Sequence, residues 1–228
     1  MNLEGALQSH GLLLRGGFAP QASDAVPPLR HGRVPRWLAL VGVAGAAFWP
    51  HFVASPQYAD GAPHPLDRWS RAVGDALAAR AGGHALYPFG GPPHHPFQRW
   101  VERAEGLHAS PLGLRLHPRY GLWHSYRFAL ALPAAPDARP AHMDRTDHCA
   151  RCASQPCLSA CPVNAFTGSA YRAEACVDHL LSQPEPACRA TGCLARHACP
   201  LGQAFAPRAE QARFHMDAFV ADMAGRGG

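Results

Sequence analysis

The chain has 228 residues, enough for one compact domain with an appendage or for two small domains. Its formal charge of +5 at pH 7 comes from 21 basic residues, all arginine, against 16 acidic ones. The arginines are scattered, which argues against nucleic acid as the partner, and the missing lysine excludes a lysine Schiff base, a pyridoxal phosphate anchor and a phosphate-loop lysine.

The first stretch, MNLEGALQSHGLLLRGGF, has an early glutamate and no basic n-region, so it does not read as a signal peptide. Leu3, Leu7, Leu12 and Leu13 fall at loosely helical spacing and predict a helix over 3–14 that ends near Gly16-Gly17. Residues 19–36, rich in Pro and Arg, predict a surface loop. Residues 38–43 (LALVGV) predict a buried strand. The small residues Gly42, Ala44, Gly45, Ala46 and Ala47 allow close backbone approach, either to another element or to a ligand. The longest apolar run, 37–49, stops at Pro50, well short of the roughly 20 residues that span a bilayer. The expectation is a cytoplasmic protein with no membrane partner.

Leu66, Trp69, Val73 and Leu77 form the buried stripe of a helix over 66–81, with Pro65 near its first turn and Gly82-Gly83 at its end. A short strand at 85–87 leads into the loop PFGGPPHHPF (88–97), whose His94-His95 pair reads as exposed. A second helix, 96–105, holds Phe97, Trp100, Val101 and Ala104. Residues 112–116 predict a strand, 117–121 (HPRYG) a turn, and 122–132 (LWHSYRFALAL) a long, mostly buried strand. Arg127 is out of place in that apolar strand and calls for a carboxylate or a ligand phosphate. His117 either caps the turn or faces a cofactor, and Trp123 and Tyr126 either pack or stack on a ring. Residues 133–140 read as a linker. Helices follow at 171–181 and 207–223, the last burying Phe214, Phe219 and Met223.

All eight cysteines lie between His148 and Pro200. Cys149, Cys152, Cys157 and Cys161 read C-x2-C-x4-C-x3-C-P; after Cys176, the last three, Cys188, Cys193 and Cys199, read C-x4-C-x5-C-P. Two four-ligand clusters need this number of thiols. A Cys-Pro closing each half matches a two-cluster bacterial ferredoxin, in which the fourth cysteine of a run ligates the other cluster. On that logic Cys149, Cys152, Cys157 and Cys199 hold one 4Fe–4S cluster, and Cys161, Cys176, Cys188 and Cys193 the other. The Cys152–Cys157 and Cys193–Cys199 spacings are longer than standard. Two structural zinc sites use the same number of thiols, and a disulfide scaffold is a third reading. The C-P endings and the lack of a second C-x2-C pair fit zinc poorly.

Two stretches resemble a known superfamily. AEACVDHLL around Cys176 resembles the segment supplying the fifth cysteine in epoxyqueuosine reductases and reductive dehalogenases. SPLGLRLHPRYGLWHSYRFALAL (110–132) resembles the same superfamily, and is closer still to the cobalamin-processing family of methylmalonic aciduria and homocystinuria type C. The resemblance implies an α+β chain: a nitroreductase-like α/β/α domain over 1–140, then a small ferredoxin-like domain with two 4Fe–4S clusters and a C-terminal helix over 141–228. It implies electrons passing from the clusters to a corrinoid (cobalamin), or else FMN, on the first domain. Carried over by position, His117, Tyr120, Trp123 and Arg127 lie near that cofactor. The residues 89–92 (FGGP) stand where epoxyqueuosine reductases carry an acid, so epoxyqueuosine reduction is not expected. The expected function is that of an iron–sulfur redox protein, possible as an oxidoreductase and served by a redox partner protein. The alternative is a ferredoxin-like carrier or assembly partner with no reaction of its own.

Overall fold

A computed structural model describes residues 2–137 and 146–226; the expected linker at 133–140 lies partly outside them. The fold is α+β, with one four-stranded sheet. The chain divides into two compact units: Met1–Gly106 with Ser125–Met143, and Leu107–His124 with Asp144–Gly228. The backbone therefore passes between units three times, where the sequence reading set a single boundary at 140.

The first unit contains α1 (Leu3–Gln8), β1 (Leu13–Phe18), β2 (Trp37–Ala44), α2 (Trp49–Val53), α3 (Pro56–Ala59), α4 (Pro65–Arg80), β3 (His84–Leu86), α5 (Phe97–Glu105) and, from Ser125 onward, β4 (His124–Leu132). The strand order is β1-β2-β4-β3. β1 pairs with β2, and β3 with β4, in antiparallel fashion. The inner strands carry the longest apolar runs, and Leu38–Ala44 and Phe128–Leu132 are buried throughout, as a strand covered on both faces should be.

The helix expected over 3–14 is corrected. Only Leu3–Gln8 is helical; Gly11 at φ 66° breaks it, and Leu13–Phe18 becomes an edge strand. Three consecutive leucines carry no period, so helix and strand fit them equally. Gly16 and Gly17 lie inside the strand. A Cβ on Gly17 would stand 2.5 Å from the Trp37 indole nitrogen and 2.6 Å from the Leu38 carbonyl oxygen. Gly42 answers to the first use proposed for the small residues: its Cβ would lie 2.4 Å from the Ser125 carbonyl oxygen, so β2 and β4 approach through it.

Between Leu14 and Gly16 the β1–β2 register skips, leaving Arg15 as the extra residue of a bulge. The bulge turns Arg15 inward, where it is 3% exposed. Its Nε donates to Glu105 Oε1 at 3.0 Å and its Nη2 to Oε2 at 2.8 Å. The Tyr126 hydroxyl donates to the same carboxylate. α5 supplies Glu105 and packs Phe97, Trp100 and Val101 against Phe18, Leu38, Leu40 and Leu86. α4 buries its expected stripe. α2 and α3, each one turn long and opened by proline, were not anticipated; they place Phe52 and Tyr58 against Trp49 and Trp69.

The second unit contains α6 (Pro156–Ser159), α7 (Ala173–Leu181), α8 (Ala187–Thr191), α9 (Leu194–His197) and α10 (Ala209–Arg226). The strand expected at 112–116 does not form. Gly113 turns the chain at φ 76°, leaving only isolated bridges, Ala109–Arg115 and His117–Gly121. α10 packs on α8 and α7. Its fully buried residues are Gln211 and Ala212; Phe214, Phe219 and Met223 are only half-buried, against expectation. No helix among the described residues is long and apolar enough to cross a membrane.

Candidate metal centre in the cysteine unit

Short helices and tight turns present the thiols. Pro156 opens α6 and sets Cys157 in its first turn; Cys188 lies in α8; Cys193 is the N-cap of α9; Cys176 lies in α7. Such one-turn helices leave N–H groups unspent, and these turn onto sulfur. Ala165 N–H donates to Cys161 Sγ at 3.2 Å. Cys193 accepts from the N–H groups of Ala195 and Arg196, and Cys157 from that of Leu158. None of the eight cysteines is joined in a disulfide.

The thiols fall into two groups. Cys149, Cys152, Cys157 and Cys199 line one cavity of about 260 Å³, walled by Leu116, Leu122, Pro111, Pro156, Pro200 and Leu201. Within it Cys149 interacts electrostatically with Cys199, Cys157 and Cys152, and Cys157 with Cys199 and Cys152. The other thiols meet elsewhere: Cys176 interacts with Cys161 and Cys188, Cys193 with Cys188, and the Tyr171 hydroxyl with Cys176, Cys193 and Cys161. Among the described residues, no three His, Cys, Asp or Glu side chains converge as ligands of a single metal ion. The first four thiols instead surround a volume.

Burial disfavours the thiolate form of Cys149, Cys157, Cys176 and Cys193 in the metal-free chain. Burial, then Asp147, then the neighbouring thiols push Cys149 up to about 11. Burial, followed by Cys199, raises Cys157. Burial also raises Cys176 and Cys193, although Tyr171 donates to the sulfur of Cys176. Several thiolates cannot ionise side by side in a half-buried site without a compensating cation. A metal group binding there would displace the protons. The Ser110 hydroxyl, on the wall of the same cavity, is buried with no hydrogen-bond partner among the described residues. An orphaned hydroxyl beside four thiols suits a sulfur-rich occupant that accepts its proton. Donor set, cavity and orphan all fit a 4Fe–4S cluster.

One seam brings Cys199 to the first three thiols. Gly121 (φ 57°) and Gly202 (φ 71°) pack backbone to backbone. A Cβ on Gly121 would lie 2.0 Å from the Leu201 carbonyl oxygen, and one on Gly202 2.3 Å from that of Tyr120. Only glycine permits this approach. The HPRYGLW turn thereby holds the segment that follows Cys199-Pro200.

The residues expected to face a cofactor are all engaged internally, and not all together. His117 is 7% exposed; its Nδ1 accepts from the N–H groups of Arg119 and Tyr120, and its ring stacks on Tyr120 at 4.2 Å. Tyr120 meets Phe205 edge-on at 4.9 Å. Trp123 is 5% exposed, against His197 and beneath the Arg196 guanidinium. These three belong to the second unit. Arg127 belongs to the first, where it donates to Ser70 Oγ and Asp67 Oδ1, the carboxylate its position called for.

Sequence reasoning missed Ser110, Tyr171 and Arg196. Ser110 and Tyr171 carry no signal in composition. Arg196, a charge inside the C-x5-C spacer, was readable as an anomaly.

No family model matches the chain, and no curated protein matches it. Among solved structures it resembles epoxyqueuosine reductases. One, from Bacillus subtilis with its catalytic loop swung out of the active site, is 17% identical, with a TM-score of 0.42 over 78% of this chain and 54% of that one. A selenomethionine-labelled epoxyqueuosine reductase is 16% identical, with a TM-score of 0.41 over 78% and 52%. An epoxyqueuosine reductase with an epoxyqueuosine-modified tRNA-Tyr stem loop is 17% identical, with a TM-score of 0.42 over 78% and 54%. The chain spans about half the length of these structures, and likeness at this level carries no argument about activity.

Proposed function

We propose that this chain is an iron–sulfur redox protein holding two 4Fe–4S clusters, one on Cys149, Cys152, Cys157 and Cys199, the other on Cys161, Cys176, Cys188 and Cys193. One observation carries the reading: the two cysteines that precede proline exchange partners, Cys199 joining the early thiols and Cys161 the late ones. Zinc has no need of such an exchange, and the four thiols of the first set surround a volume instead of a point. When bound, each cluster supplies reversible one-electron transfer. The chain's own part is to hold the thiolates, to keep water out with Leu116, Leu122 and Leu201, and to aim N–H and O–H donors at sulfur.

The geometry best supports an electron carrier working with a redox partner protein. His117, Tyr120, Trp123 and Arg127 are committed to internal contacts. Transfer to cobalamin or FMN on the first unit is the reading that the sequence resemblance implies.

Anaerobic reconstitution with iron and sulfide tests the proposal. The expected product is brown, with broad visible absorption bleached by dithionite and about eight irons per chain. A colourless protein loading zinc in place of iron overturns it. Titration of the reconstituted protein with hydroxocobalamin and with FMN separates carrier from cofactor-linked reductase; micromolar binding with dithionite-dependent reduction of the bound cofactor would favour the reductase.

A further inference from the structure

We propose that Arg196 is the internal counter-charge of the set Cys161, Cys176, Cys188 and Cys193, and makes it the higher-potential, electron-accepting one of the two. The inference rests on the two-cluster reading and adds a direction of electron flow to it.

Arg196 is held in a way that needs an anion. Its Nη2 donates to the Leu122 carbonyl at 2.5 Å, and its guanidinium lies 4.3 Å from the centre of the Trp123 ring. Its Nε is buried and has no hydrogen-bond partner among the described residues. Among the described residues no carboxylate pairs with it; the one charge-bearing side chain that it feels is the Cys193 thiol. Burial disfavours its charged form, yet an arginine does not give up its proton in a protein. A partly buried, half-satisfied guanidinium whose Nε is shut off from solvent is costly unless an anionic neighbour offsets it. Four thiolates around an iron–sulfur group supply that neighbour.

The consequence for redox follows from sign. Reduction by a low-potential one-electron donor adds one negative charge to the thiolate-held group, with no bond made or broken. A fixed positive charge beside it favours the reduced form. Tyr171, which donates to the sulfur of Cys176, acts in the same direction. Near the first set the charges are Asp147, whose side chain is 43% exposed, and Arg151, which is exposed. They oppose each other and are screened by water and salt. The asymmetry comes from Arg196, which is half-buried and has its Nε shielded from solvent. Leu122 and Trp123, of the HPRYGLW turn, are the seat of Arg196.

The test uses anaerobically reconstituted full chains in redox titrations with dithionite, followed by EPR. Cys157→Ser leaves the second set alone and Cys188→Ser the first. The second set is expected to be reduced at the higher potential. In the Cys157→Ser background, Arg196→Met is expected to lower the reduction equilibrium constant at least tenfold, about 59 mV for a one-electron couple. Arg196→Lys should restore most of it. In the Cys188→Ser background Arg196→Met should change it less than threefold. The inference is overturned if Arg196→Met leaves the second set's potential unchanged or shifts both sets alike. Should Arg196→Met fail to fold, the order of potentials in the two backgrounds decides, and the reverse order overturns it. A protein that takes up no iron would instead sink the two-cluster reading.

Discussion

The crossed pairing of cysteines can be tested by counting iron. Two closed, disjoint sets make the effects of double substitutions depend on membership, not on distance along the chain. Losing one thiolate from a four-ligand site opens it, and serine is a poor replacement for a soft ligand. Each of Cys157→Ser, Cys161→Ser and Cys199→Ser is therefore expected to lower iron from about eight to about four per chain. The doubles discriminate. Cys157 and Cys199 line the same cavity, so Cys157→Ser with Cys199→Ser should retain about four irons. Cys161 faces Cys176, so Cys157→Ser with Cys161→Ser should retain almost none. Pairing in chain order reverses both results. The assay is iron and acid-labile sulfide per chain after reconstitution, with circular dichroism to confirm folding. If the Cys157–Cys161 double keeps half its iron while the Cys157–Cys199 double loses all of it, the sets are wrong.

Three further outcomes are expected. Glu105→Gln leaves Arg15 buried and uncompensated, at a cost of about 3–5 kcal/mol, read as a lower urea midpoint with m unchanged; a loss under about 1 kcal/mol would show that the Arg15–Glu105 pair is not the closed unit described. Gly202→Ala puts a Cβ against the Tyr120 carbonyl at positive φ, so it should cost about 1–3 kcal/mol and impair iron loading of the first set more than the second; equal loading would refute the seam's role. Because Cys149 is raised to about 11, its alkylation by iodoacetamide in the metal-free protein should climb about tenfold per pH unit up to that value. The same shift makes stability pH-dependent: the unfolded thiol ionises near its ordinary value, the folded one does not, so this contribution is full below about 8.5 and lost between there and about 11. A flat alkylation profile above pH 9 would refute the shift.

How much was legible follows from the range of the forces involved. The buried stripe of α4 was read correctly because helix burial repeats every three to four residues, and that period is written in the sequence. β2 and the greater part of β4 were read from their apolar runs. The leucines of β1 have no period, and only pairing with β2 decides that they form a strand. Residues 112–116 alternate like a strand, yet among the described residues they make only the isolated Ala109–Arg115 bridge. His117 had two readings, and its Nδ1 caps the turn.

By itself the sequence determined the number of thiols and the Cys-Pro punctuation of each half, from which the two disjoint sets are an expectation. It also excluded lysine chemistry outright. Tertiary structure alone decided where the turn at 117–123 belongs, what Arg127 and Arg15 pair with, and that the Arg196 Nε is buried without a partner among the described residues. The physical reason is one of reach. Ligand spacing and apolar period are local and survive in the order of residues. A charge drawn partly inside the fold is settled by whatever the fold brings to it from far along the chain, and for Arg196 that is Leu122 and Trp123.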